Sequence, residues 1–228
     1  WEPSAGLLAW VDGGGLHRAE GRMCFLCWLA EEKARQGQDW GHGLKALTGY
    51  RVRCRRSRHT SAWMLLEVLD RDLRHPELDQ VLADYNRPVV FTDPLCGKFS
   101  LNRQFDWFEG EEDWAGESCL VYLECDEAGW ETAEDSLAAF RPIYQKAADW
   151  DRTFRTFAAG ELAGLASDWQ EKTVTEADFA QRISISEFSM DPEGTYTVYY
   201  RDGDLFYGHV IVLTGSGENG PESAEIAG

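Results

Sequence analysis

Between residues 150 and 169 the apolar positions Trp150, Phe154, Phe157, Leu162, Leu165 and Trp169 recur close to steps of three and four, with Glu161 and Leu162 sharing the middle turn. That spacing predicts a long amphipathic helix, which must lay its stripe on something. Period two holds on either side. Residues 97–104, 107–114 and 118–125 read as a meander of strands. Residues 183–190, 195–201 and 205–213 read as strands again, divided by the turns Asp191-Pro192-Glu193-Gly194 and Arg201-Asp202-Gly203-Asp204. A shorter helical stripe, Ala133, Leu137, Phe140 and Tyr144, precedes the long one and is kinked or broken at Pro142. Thr175 opens another short helix, its hydroxyl within reach of the Asp178 N–H and Val174 and Phe179 placed as a staple. Strands, helices, then strands predict an α+β domain, an antiparallel sheet with helices on one face.

The amino-terminal part follows a different pattern. Residues 7–11 and 22–30 are apolar runs, separated by the Gly13-Gly14-Gly15 turn. Residues 50–58 alternate, with Tyr50, Val52 and Cys54 on one face and Arg51, Arg53 and Arg55 on the other. Residues 62–69 are nearly all apolar, as in a central strand. Pro76 then starts a helix with Leu78, Val81, Leu82 and Tyr85 as its stripe. Several strands and one helix in so short a length predict a small, mostly-β, barrel-like domain. The turn-like stretch from Asn86 to Pro94 sets the boundary near 88–96, dividing a β-rich domain at 1–90 from an α+β domain at 91–228.

Charge divides at the same place. Residues 1–90 hold 13 Lys and Arg against 12 Asp and Glu; residues 91–228 hold 9 against 28, or −19 of the chain's net −18. Such a polyanion repels nucleic acid and anionic membranes and attracts basic partners. No apolar run is long enough to cross a bilayer. The start, Trp1-Glu2-Pro3, lacks the basic-then-apolar pattern of a secretory signal, and without an initiator Met it reads as trimmed or incomplete. The six cysteines, Cys24, Cys27, Cys54, Cys96, Cys119 and Cys125, sit mostly in apolar, strand-like runs. They read as buried thiols of a cytoplasmic protein rather than a disulfide framework.

Two segments carry a family resemblance. The stretch 202–211, Asp-Gly-Asp-Leu-Phe-Tyr-Gly-His-Val-Ile, with the closing Ala224-Glu225-Ile226-Ala227-Gly228, resembles the end of a bacterial family of domains of unknown function numbered 2262. The stretch 95–103, Leu-Cys-Gly-Lys-Phe-Ser-Leu-Asn-Arg, followed by Trp107-Phe108-Glu109-Gly110, is similar to its start. The resemblance covers residues 90–228, and the preceding segment is similar to what precedes the domain in some members. It implies no activity and transfers no catalytic residue.

The candidate chemistry is sparse. Cys24 and Cys27 have CxxC spacing, but the nearest further ligands, His42, Cys54 and His59, form no second tight pair, so core packing is the expectation and no metal is assigned. Arg51, Arg53 and Arg55, with Arg56 and Arg58, could track a phosphate backbone with Trp63 and Tyr50 stacking on bases; the plain reading is a solvated strand face. His209, near Asp202 and Asp204, is a candidate acid–base residue without a nucleophile motif, and a backbone-bonded structural role is the expectation. Glu109, Glu111, Glu112 and Asp113 lack a calcium-loop pattern and read as a solvated hairpin or a docking surface. Phosphate-loop and dinucleotide fingerprints are absent, and no cofactor is expected. The leading expectation is a non-enzymatic module that binds a basic protein, of which an immunity-type protein is one form. The alternatives are an enzyme using His209 with a carboxylate, and nucleic-acid or ligand binding by the Arg-rich strand.

Overall fold

The structure, a computed structural model, describes residues 2–19, 24–30, 42–58, 60–126 and 129–228. The chain divides into two compact units, Trp1–Arg87 and Pro88–Gly228.

In the first unit the described strands are β1 (Ser4–Gly6), β2 (Ala9–Asp12), β3 (Gly15–Arg18), β4 (Phe25–Cys27), β5 (Arg51–Arg56) and β6 (Ala62–Asp70), followed by helix α1 (Pro76–Tyr85). One sheet has the order β1-β4-β6-β5, and β2 pairs only with β3. The long apolar strand β6 lies between β4, to which it runs parallel, and β5. Leu26, Trp28 and Leu65 form the core, with Val52, Cys54, Trp63 and Val68 packed against it. No closed barrel forms among the described residues. β1 and β4 are only three residues long, and the β2–β3 ribbon pairs with itself instead of bridging the sheet edges. The expected run at 22–30 narrows to β4, and Arg22 and Met23 lie outside the described residues.

The second unit is built on one sheet. Its strands are β7 (Val90–Asp93), β8 (Gly97–Asn102), β9 (Trp107–Trp114), β10 (Glu117–Glu124), β11 (Ser184–Met190), β12 (Thr195–Arg201), β13 (Val210–Ser216) and β14 (Gly220–Ala227). Their spatial order is β14-β13-β12-β11-β10-β9-β8-β7. Between β10 and β11 come α2 (Ala133–Tyr144), α3 (Ala147–Gln170) and α4 (Glu176–Arg182). This helical crossover returns the chain beside β10 in the same direction, so β10 and β11 are parallel; every other neighbouring pair is antiparallel. The expectation of a wholly antiparallel sheet is corrected at that one pair.

One face of this sheet is covered. Phe99, Phe108, Trp114, Cys119, Val121 and Leu123 alternate onto it from β8–β10, and Phe188, Tyr196, Val198, Tyr200, Ile211 and Leu213 from β11–β13. Helix α2 packs across β9–β11, and α3 packs on β9 and β14. Phe140 and Phe154 from these helices are fully buried. Thr175 caps α4, accepting from the Asp178 N–H at 3.1 Å, with Val174 and Phe179 buried. Pro142 is accommodated inside α2, which ends two residues later.

The stretch 205–209, expected as strand, is instead a looped excursion, and β13 begins at Val210. The buried Asp202 carboxylate draws the chain round itself, accepting from the N–H groups of Asp204, Phe206 and Gly208. Asp204 and Tyr207 take positive φ, and Leu205 and Phe206 are buried. Strands β7 and β14 were not expected. Asp93-Pro94, read as part of a junction, is the turn between β7 and β8.

Candidate functional site

Among the described residues, no helix packs on the other face of the second unit's sheet. Strand register places Glu111, Leu120, Glu187, Tyr199, Val212 and Glu225 in one row across β9–β14. A second row holds Ser100, Glu109, Tyr122, Ser189, Thr197, Thr214 and Ser223. Trp107 faces Glu124 in a third. By alternation Asp113 shares this face, as do the cations Lys98 and Arg201. Carboxylates therefore dominate it.

Part of it is aromatic. Phe105, 54% exposed, stacks on Trp107 with centroids 4.6 Å apart, and Trp107 meets Tyr122 at 4.7 Å with the rings tilted by 35°. Glu109 fixes the ladder, accepting from Trp107 Nε1 at 3.1 Å and Asn102 Nδ2 at 2.9 Å. Ser118 Oγ donates to Glu111, and Ser189 Oγ to Glu124. Burial raises the Tyr122 hydroxyl's pKa, and the neighbouring Glu187 and Glu109 raise it further, so the phenol stays protonated. Beside the ladder lies a depression of about 330 Å³, lined by Ser100, Glu109, Gly110, Glu111, Leu120 and Tyr122. π-faces ringed by carboxylates form a surface suited to guanidinium and ammonium groups.

Residues 93–226, from the end of β7 to the end of β14, match the family model described as an uncharacterized protein conserved in bacteria, DUF2262. The chain belongs to this family. Residues 1–85 match a second model, a domain of unknown function, DUF7021. No curated protein and no solved structure matches the chain.

The DUF2262 region contains nearly the whole sheet and its open face. Of the acidic run on β9, Glu109, Glu111 and Asp113 lie on that face, whereas Glu112 turns inward. Its carboxylate packs against Gly97, where a Cβ would overlap it, and meets the Tyr144 hydroxyl at 3.4 Å; burial raises its pKa. Asp113 Oδ1 also accepts from the Gly116 N–H. Asp202 is buried and saturated by backbone donors, so it sits off the face, and Asp204 belongs to the same excursion. His209 Nδ1 lies 2.6 Å from the Phe206 carbonyl oxygen, and its ring meets Trp169 edge-on. No carboxylate is hydrogen-bonded to it among the described residues.

In the DUF7021-like unit Arg51, Arg53 and Arg55 are exposed positions of β5. Arg53 pairs with Glu67, Arg51 stands opposite Asp70, Arg55 opposite Met64, and Arg56 lies over Trp63. The Tyr50 oxygen accepts from the Lys45 N–H at 2.7 Å. Cys24 and Cys27 are free thiols, and burial raises the Cys27 pKa. Among the described residues no group of three or more His, Cys, Asp or Glu side chains could hold a metal ion. His59 lies outside them.

Reading single strands missed Tyr122, Glu124, Glu187 and Tyr199. Each was visible as an outward position of its own strand; their convergence depends on pairing partners distant in sequence.

Proposed function

We propose that this protein is a non-enzymatic interaction module whose open sheet face docks a basic protein. The observation that carries this reading is the juxtaposition of the Phe105–Trp107–Tyr122 ladder with Glu109, Glu111, Glu124 and Glu187. The ladder offers rigid anchors, and the carboxylates favour a partner's Lys and Arg while repelling polyanions. The residue 91–228 charge of −19 adds long-range steering toward cationic partners. A narrower form is an immunity-type role, in which the partner is a cationic toxin held inactive.

The test compares two baits in host lysate at low salt: the intact protein and its Glu109→Gln/Glu111→Gln/Glu187→Gln variant. A basic protein retained by the first, lost from the second and released at about 0.5 M salt supports the reading, because screening shortens charge contacts to a few ångström. Identical retention by both baits overturns it. The captured protein, once purified, gives a direct affinity for both baits, and loss of a toxic activity on binding decides the narrower form.

A further inference from the structure

In the first unit a cavity of about 230 Å³ opens where the β2–β3 hairpin meets the end of β5 and the start of β6. Its walls include Trp10, Trp63, Arg18, Arg56, Thr60 and Ser61. The two indoles meet edge-to-face with centroids 6.1 Å apart. The Arg56 guanidinium lies 5.6 Å from the Trp63 centroid, held by a ring, with no carboxylate hydrogen-bonded to it among the described residues. Arg18 reaches Asp84 only at 3.9 Å, while Asp84 also accepts from Arg87 at 3.1 Å and Gln80 at 3.0 Å. Asp12, near Arg56, accepts from the Gly14 N–H and lies 3.0 Å from His17 Nε2. Among the described residues the local acids are thus engaged, and both guanidiniums keep donors for an added anion.

We propose that this cavity binds a nucleoside monophosphate. Paired guanidiniums with adjacent hydroxyls recognise a phosphate by bidentate, charge-assisted hydrogen bonds. Trp10, already stacked on His17 at 5.2 Å, offers a flat wall for the base. The volume is below the roughly 300–1,000 Å³ of drug-sized pockets, so it admits one nucleotide with part of it in solvent. This site is separate from the acidic sheet face, and either proposal can fail alone.

The experiment is calorimetric titration of the full chain with the four common ribonucleoside monophosphates, inorganic phosphate, adenosine and a single-stranded 12-mer. At least one monophosphate is expected to bind about tenfold more tightly than phosphate or adenosine. Arg18→Gln and Arg56→Gln are each expected to weaken it about tenfold, and Trp10→Leu to weaken the monophosphate but not phosphate. Arg51→Gln, outside the cavity, is expected to change nothing. Circular dichroism establishes that each variant is folded, and Arg56→Lys, which keeps charge but loses the planar fork, is expected to fall between. The proposal is overturned by no binding at about 1 mM, by phosphate alone binding as tightly, by unchanged affinity in folded Arg variants, or by tighter binding of the 12-mer per nucleotide.

Discussion

Asp93 sits at the β7–β8 turn, and its two oxygens act in different directions. Oδ1 accepts from the N–H groups of Leu95 and Cys96, fixing the turn; Oδ2 accepts from Arg141 Nε and Nη2 at 2.9 and 2.7 Å, tying the turn to α2. The Cys96 N–H bond and the Arg141 pair outweigh burial and lower this carboxyl to about 2. Its folded value is below the unfolded value of about 3.9. Its stabilisation is therefore complete above about pH 5 and lost as the pH falls through 2. Asp93→Asn is expected to lower unfolding free energy at pH 7 by about 2 kcal/mol. Urea titrations from pH 7 to 2 check this: the wild-type and variant curves should converge toward the acid end, and a constant gap would refute the assignment. Burial pushes the Cys96 and Cys119 thiols up to about 12. Both are expected to resist a thiol reagent at pH 8 in the folded protein and to react when it is unfolded. Labelling followed by mass spectrometry identifies which of the six cysteines react.

At the scale of elements, the excursion 202–209 shows how a side chain redirects a segment of strand-like composition. Leu205, Phe206 and Tyr207 favour a strand, but Asp202 takes the N–H groups such a strand would pair, and Arg182 donates to the Gly203 carbonyl at 2.6 and 3.1 Å. Gly203 has φ +56, and a Cβ there would collide with the Arg182 carbonyl oxygen. Gly203→Ala is therefore expected to cost about 2 kcal/mol or more, read as a lower urea midpoint with an unchanged slope. A midpoint equal to wild type would show that the excursion yields at little cost. Locally encoded elements were legible in the sequence: β6 from its apolar run, α3 from its stripe, the α4 cap from Thr175. Strand β14 was not, because Pro221, Glu222, Ser223 and Ala224 carry little strand propensity and owe their conformation to β13. The open face was half legible for the same reason. Alternation sends Glu109 and Glu111 outward and Glu112 inward, yet only register sets Leu120 between Glu111 and Glu187.

For the whole molecule, the organising fact is that the two hydrophobic cores share no residue. One is drawn from residues between Ala5 and Val68, the other from residues between Val89 and Ile226. The second contains the eight-stranded sheet, the three helices packed with it and all the excess negative charge. A unit with its own core and complete strand order has what it needs to fold alone. A fragment of residues 88–228 is therefore expected to unfold cooperatively in urea, with a circular dichroism spectrum of mixed helix and strand. Because Phe105, Trp107, Tyr122 and the carboxylates beside them all lie within it, the same fragment should bind the basic partner with the full chain's salt dependence. Loss of binding by a folded fragment would assign recognition elsewhere in the chain. A fragment that exposes apolar surface to dye and unfolds without a sharp transition would show that the second core, although separate in membership, depends on the first unit for its stability.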